Sequence, residues 1–182
     1  MKLYFVRHAE KESEGENPSL TKRGILQAKC LAQRLKKIKF DEFYCSELKR
    51  SRQTSEIVSK QIKIKPRVEP SLNEYESSDV KKAKPLWSKE DRVRYKKLIV
   101  FLRKLAKDPN QDKSVLIISH GITNRIVMSY FLKIPMKRII VFRQNETCIN
   151  LLFWYDKFKN WRVEELNNSS HLQRRLSGHD KR

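Results

Sequence analysis

Two unbroken apolar runs, Leu3-Tyr4-Phe5-Val6 and Val115-Leu116-Ile117-Ile118, dominate the hydrophobic pattern of this chain. Runs this short with no polar alternation read as strands buried on both faces, as in a parallel sheet. Each run ends on reactive side chains: the first on Arg7-His8, the second on Ser119-His120-Gly121 and then an apolar helix. Ligands of open α/β sheets collect at the carboxyl ends of strands. The pattern therefore delivers two histidines and an arginine to the same kind of position.

Between these runs the period changes. Ile25, Ala28, Leu31, Ala32 and Leu35 recur at spacings of three and four, and Thr21 precedes them as a helix cap. Residues 10–19 form a polar loop. Phe43-Tyr44-Cys45 reads as a second strand, and Ser46-Glu47 opens a helix over about residues 48–60 with Arg50 and Arg52 in its first turn. Residues 62–68 are weakly strand-like, and Pro66 confines them to an edge. Leu72-Asn73-Glu74 then opens a basic stretch without a period, residues 75–87, expected as a loop or lid. Residues 93–105 and 121–132 are helical, Asp108-Pro109-Asn110 is a turn, and residues 139–142, 148–154 and 161–166 are the expected last strands. Strands alternating with helices predict an α/β fold, a three-layer α/β/α sandwich with a mainly parallel sheet. One domain over residues 1–172 is expected, followed by a basic tail, 173–182, that its composition makes disordered.

Composition adds charge. Among 182 residues, Lys and Arg number 41 against 21 Asp and Glu, a net charge of +20 that draws polyanions or phosphorylated solutes. Lys-rich composition alone is an equally good account of it. Cys30, Cys45 and Cys148 are widely spaced and odd in number, so neither a disulfide framework nor a zinc site is indicated, and a reducing, cytoplasmic setting fits. No stretch approaches the roughly 18 consecutive apolar residues of a membrane span. Four apolar residues before Arg7 are too few for a secretory leader, so the chain is expected to be soluble and unprocessed.

Five pieces in one order carry a resemblance: Arg7-His8-Ala9-Glu10; Leu20-Thr21-Lys22-Arg23-Gly24 with Gln27-Ala28; Ser46-Glu47-Leu48-Lys49-Arg50 with Gln53-Thr54; Leu72-Asn73-Glu74; and Ser119-His120-Gly121 with Arg125. Together they resemble the histidine phosphatase superfamily, the phosphoglycerate mutase-like fold, and its short phosphatase branch. The segment from Leu166 to Leu172 also resembles the carboxyl-terminal end of several such phosphatases. Ala9 stands where the family commonly has glycine, and Asn17 is not matched to the asparagine often found after the first motif. By this resemblance His8 is the phosphoacceptor, Glu74 the general acid and base, and Arg7, Arg50 and His120 bind the phosphoryl group.

The chemistry explains the grouping. Guanidinium forks hold phosphate oxygens by charge-assisted hydrogen bonds, and neighbouring cations disfavour imidazolium, which keeps His8 nucleophilic. A protonated Glu74 then serves the leaving oxygen. No metal site and no cofactor are expected, because neither metal-ligand spacing nor a phosphate-binding glycine loop is present. Cys45 lies four residues from Arg50 and six from Arg52 by intervening count, which does not fit a cysteine phosphatase. Arg52 reads as a surface residue, Arg125 as structural, His171 as closing the site or capping the fold, and His179 as solvated.

The expected function is a metal-independent phosphomonoesterase acting on a small phosphorylated substrate. A phosphoglycerate-type mutase is disfavoured because only 45 residues separate Glu74 from His120, whereas such mutases carry a long insertion there. A protein phosphohistidine phosphatase is disfavoured because those enzymes generally lack the acid. The alternative from another class is a polyanion- or RNA-binding protein, supported by the charge and the Lys81-Lys82-Ala83-Lys84 run but by no nucleic-acid-binding motif.

Overall fold

The computed structural model describes residues 1–75, 88–109 and 112–177. Residues 76–87 of the expected loop, with its lysines and Trp87, lie outside the described residues, as do Asn110 and the end of the tail with His179. In chain order the strands are β1 (Lys2–Arg7), β2 (Glu42–Cys45), β3 (Arg67–Val68), β4 (Ser114–Ser119), β5 (Ile149–Tyr155) and β6 (Asn160–Asn168). The helices are α1 (Lys22–Leu35), α2 (Lys49–Ile62), α3 (Lys89–Leu105) and α4 (Gly121–Leu132).

The six strands form one sheet in the order β3-β2-β4-β1-β5-β6. Pairings β1/β4, β2/β4 and β2/β3 are parallel, and β1/β5 and β5/β6 are antiparallel. β1 and β4 are continuously apolar because both of their faces are covered. Leu3 and Phe5 pack with Val115 and Ile117 against Leu98 and Leu102 of α3 and Ile126 and Phe131 of α4. Tyr4 and Val6 pack with Leu116 and Ile118 against Leu31 and Leu35 of α1 and Val58 of α2. Two cores separated by one sheet are the three layers.

Local chemistry sets the helix starts. Thr21 accepts the Gly24 amide at 2.8 Å to cap α1, and Ser88 accepts the Asp91 amide at 3.0 Å to cap α3. Helix α1 buries Ala28, Leu31, Ala32 and Leu35, but Ile25 is 39% exposed, since Gly24 and Gln27 take the inward positions of the first turn.

Three expectations change. Residues 139–142 form no strand: a 3-10 helix, Met136–Val141, follows Pro135, with Ile139 buried while Ile140 and Val141 face solvent. A short β-branched run carries no periodic information that separates these outcomes. Strand character within 62–68 shrinks to Arg67–Val68, because Lys63 turns left-handed to end α2 and Pro66 supplies no amide. The stretch expected to be disordered from Gln173 is packed at its start: Leu176 is buried in the 3-10 helix Arg174–Leu176, and Gln27 Nε2 donates to its carbonyl at 2.8 Å. No helix among the described residues is long and apolar enough to cross a membrane.

Gly24 is required by close approach, because a Cβ there would overlap the Glu10 carbonyl oxygen two residues beyond His8. Gly24→Ala is expected to cost roughly 1–3 kcal/mol, the usual range for forced overpacking. Urea unfolding should show a lower midpoint with an unchanged slope, and an unchanged midpoint would mean that the Glu10 segment yields freely.

Candidate active site

The β1/β4 register sets Arg7 beside Ser119, so the residues that follow, His8 and His120, leave the sheet side by side. The His8 amide donates to the Ser119 carbonyl at 2.9 Å, and the imidazole centroids lie 5.0 Å apart with planes at 61°. β2 adds Ser46 on the far side of β4, where its amide reaches the Ile118 carbonyl at 3.3 Å. Strand order β2-β4-β1 thereby lines up Ser46, His120 and His8 at the carboxyl ends of three parallel strands.

His8 is 3% exposed. Its Nδ1 lies 2.7 Å from the Ala9 carbonyl, which only accepts, so Nδ1 carries the proton and Nε2 keeps its lone pair. Arg50, in the first turn of α2, donates its Nε–H to that Nε2 at 3.1 Å. Burial, reinforced by the Arg7 and Arg50 charges, holds the His8 pKa well below the usual histidine value. The ring is therefore neutral at neutral pH, with a lone pair facing a guanidinium.

His120 caps α4 and is fully buried. Its Nε2 meets Ser46 Oγ at 2.6 Å, while its Nδ1 is buried without a hydrogen-bond partner among the described residues. Burial, then the neighbouring His8 and the charges of Arg50, Arg7 and Arg94, depresses its pKa strongly. Arg7 Nε is likewise buried and unpartnered. The outer part of that guanidinium donates to the Gln144 carbonyl at 2.6 Å and pairs with Glu146 at 3.3 Å. Two buried polar atoms without partners beside a neutral imidazole suit an anionic guest.

Glu74 follows a 3-10 turn, Pro70–Leu72, whose last carbonyl accepts Ser119 Oγ at 2.8 Å. Its Oε1 lies at the start of α4, 3.1 Å from the Ile122 amide and 3.3 Å from the Thr123 amide. Burial raises its pKa above the ordinary carboxyl range, and this outweighs the two amides and the Arg7 and Arg50 charges, all of which favour the carboxylate. A carboxyl that retains its proton to higher pH than usual therefore sits at the start of the helix that follows His120.

All five residues singled out by sequence, Arg7, His8, Arg50, Glu74 and His120, thus contribute to one cluster. Ser46 belongs to it by the same strand-end logic, which applied to β2 would have found it. Thr54 accepts the Ala9 amide at 3.1 Å, and Gln27 accepts the Glu10 amide at 2.8 Å, so these motif residues hold the turn after His8. Gln144 and Glu146 carry no local signal, since they reach Arg7 across nearly the whole chain. Arg52 is exposed, Arg125 Nε donates to the Phe142 carbonyl at 2.6 Å, and His171 meets Thr147 Oγ1 at 3.1 Å. Asn17 caps α2 through the Lys49 amide at 2.9 Å. Burial pushes the Cys45 thiol up and that of Cys148 to about 11, so neither supplies a thiolate at neutral pH. A groove of about 640 Å³ runs between α3 and β2, but its walls, including Tyr44, Phe101 and Lys104, hold none of the clustered groups. Among the described residues no group of three or more His, Cys, Asp or Glu side chains is arranged to hold a metal ion.

The chain belongs to the histidine phosphatase superfamily (branch 1), whose model matches residues 3–92 and 91–169. It is 40% identical over 81 residues to the adenosylcobalamin/alpha-ribazole phosphatase of Salmonella typhimurium, and 36% identical over 81 residues to that of Escherichia coli. Each match covers 41% of this chain and spans 40% of the relative's length. The fold is similar to the Shigella flexneri alpha-ribazole phosphatase, with TM-score 0.76 and 23% identity over 93% of this chain and 97% of that one. It is equally similar to Entamoeba histolytica phosphoserine phosphatase in complex with 3-phosphoglyceric acid, with TM-score 0.77 and 20% identity over 94% and 99% of the two chains.

Buried histidines make stability depend on pH. The imidazoles of His8, His120 and His171, the last pushed down to about 4 by burial, titrate lower in the folded chain than in the unfolded one. Below an unfolded value of about 6.5 the unfolded chain binds more protons, so stability is complete above it and falls as pH falls. Raised Glu74 acts oppositely, binding a proton in the folded state just above the ordinary carboxyl range, and offsets part of the effect. The urea midpoint is expected to be lower at pH 5 than at pH 7.5. Equal midpoints would contradict neutral, buried imidazoles.

Proposed function

We propose that this chain is a phosphomonoesterase that works by double displacement, with His8 as nucleophile and Glu74 as general acid and base. The observation that carries the reading is the His8 ring, whose Nδ1 proton is held by the Ala9 carbonyl and whose Nε2 lone pair faces Arg50 at 3.1 Å. Substrate brings a phosphoryl oxygen that takes the Arg50 hydrogen bond and frees this lone pair. Arg7 Nε and His120 Nδ1, buried and without hydrogen-bond partners among the described residues, complete the cradle.

In the first displacement the Nε2 lone pair forms a P–N bond while the P–O bond to the leaving group breaks, and that oxygen takes the Glu74 proton. In the second, water attacks phosphorus, the Glu74 carboxylate takes its proton, and the P–N electron pair returns to Nε2. Burial supports both roles, because it raises Glu74 and lowers His8. The substrate class is a small organic phosphate monoester, in keeping with the similarity to alpha-ribazole and phosphoserine phosphatases. The short interval between Glu74 and His120 favours hydrolysis over mutase chemistry, and the presence of Glu74 favours an ester over a phosphohistidine substrate. A purely polyanion-binding role leaves the paired nucleophile and acid without a purpose.

His8→Ala is expected to lose at least about a thousandfold in rate, the scale of a missing covalent nucleophile. Glu74→Gln should cost about a hundredfold to ten-thousandfold on an alkyl phosphate, the range of general acid catalysis, and much less on p-nitrophenyl phosphate. Steady-state kinetics of both variants on both substrates checks this. Unchanged turnover by His8→Ala contradicts the nucleophile, and equal losses from Glu74→Gln contradict the acid.

A further inference from the structure

Glu74 is held from two helices. Its carboxyl rests on the first amides of α4, as described, but its main chain is gripped from α3. Arg94 Nη1 donates to the Glu74 carbonyl at 2.7 Å. The same nitrogen pairs at 3.0 Å with Asp91, one turn earlier on α3 and only 3% exposed. Asp91 is in turn fixed by the α3 start, where Ser88 caps its amide. The Arg94 guanidinium also lies over the ring of Tyr75, 5.4 Å from its centroid, and Tyr75 is fully buried directly after Glu74.

We propose that Arg94, braced by Asp91, is a positioning residue for the Glu74 carboxyl. The inference rests on the reading of Glu74 as the acid. A carbonyl bond at 2.7 Å and a stacked neighbour fix the peptide plane after Glu74, and that plane with the 3-10 turn before it sets the direction in which the side chain leaves the backbone. Arg94 is not among the charges that chiefly shift the Glu74 pKa, which are Arg7 and Arg50. Its contribution is therefore placement rather than proton affinity. A shift of about 1 Å in a positioned catalytic group costs on the order of a hundredfold, so a residue in the second turn of α3 governs leaving-group protonation without touching substrate. The buried Asp91 carboxylate pairs with the half-buried guanidinium and holds its fork, which a lone Arg94 would not keep aimed at one carbonyl.

The test compares Arg94→Met, Arg94→Lys and Asp91→Asn with Glu74→Gln in the full chain, using an alkyl phosphate and p-nitrophenyl phosphate. Arg94→Met is expected to lower kcat for the alkyl ester about tenfold to a hundredfold and for p-nitrophenyl phosphate less than about threefold. Arg94→Lys should recover part of the loss, since an ammonium still reaches the carbonyl, and Asp91→Asn should show the same leaving-group dependence in weaker form. In the Glu74→Gln background Arg94→Met should add no further leaving-group dependence, as expected for two residues acting through one group. The basic limb of the pH profile should stay in place. If Arg94→Met fails to fold, Arg94→Lys and Asp91→Asn carry the test. Equal losses on both substrates in the folded variants, or no loss, overturn the positioning role while leaving the acid intact, provided Glu74→Gln retains its dependence. Loss of that dependence in Glu74→Gln overturns the acid reading and this proposal together.

Discussion

Parallel pairing of β1 with β4, in the register that sets Arg7 beside Ser119, is the contact on which the site depends. Once that register is formed, His8 and His120 leave adjacent strand ends together, and α4 must start at Gly121 beside the Arg7 guanidinium. A Cβ at Gly121 would lie 3.7 Å from Arg7 Nε, an ordinary contact, so the glycine is not sterically demanded there. A one-residue slip of either strand would send its apolar side chains to the opposite core and separate the imidazoles. The two cores that enforce the register, one on each face, also remove water from the rings they deliver. Packing and electrostatics are thus one constraint: the burial that stabilises the sheet is the largest cause of the depressed histidine pKa values.

The charges around this pocket are unevenly satisfied. Arg50 is committed to His8 and Arg7 to Gln144 and Glu146, yet among the described residues Arg7 Nε and His120 Nδ1 lack hydrogen-bond partners. Under the proposed chemistry an incoming phosphoryl group exchanges with the weaker of these bonds, the half-exposed Arg7–Glu146 pair, whose energy is limited by solvent screening. The buried Gln144 contact keeps the guanidinium aimed while this happens. Glu74 stands apart from that exchange because α3 and α4 hold it by main chain and side chain separately.

Much of this was legible from local pattern, and the reasons differ by residue. The apolar runs before His8 and His120 were readable because strands covered on both faces have no polar alternation, and Thr21 and Gly24 announced the start of α1. Residues 139–142 differ from the expected strand because three β-branched positions after Pro135 suit either an edge strand or a 3-10 helix, and no local period separates the two. The grip of Arg94 on Glu74 and of Glu146 on Arg7 was invisible. Each joins positions brought together by the tertiary fold, and arginine or glutamate on a helix or loop ordinarily reads as a solvated charge. The early packing of the tail was hidden similarly, since Leu176 is one apolar residue in a basic stretch and its anchor, Gln27, lies on α1.

Under the proposed function, His8 accepts the phosphoryl group at Nε2 because Nδ1 is already protonated and bound to the Ala9 carbonyl. Rapid acid-free quenching during turnover of a good aryl phosphate, followed by mass-spectrometric peptide mapping and phosphorus NMR, reads both the residue and the ring nitrogen. The expected result is an acid-labile, base-stable phosphate on the peptide containing His8, attached at Nε2. Phosphate on Nδ1, on His120, or on no histidine under conditions that trap the intermediate would contradict it.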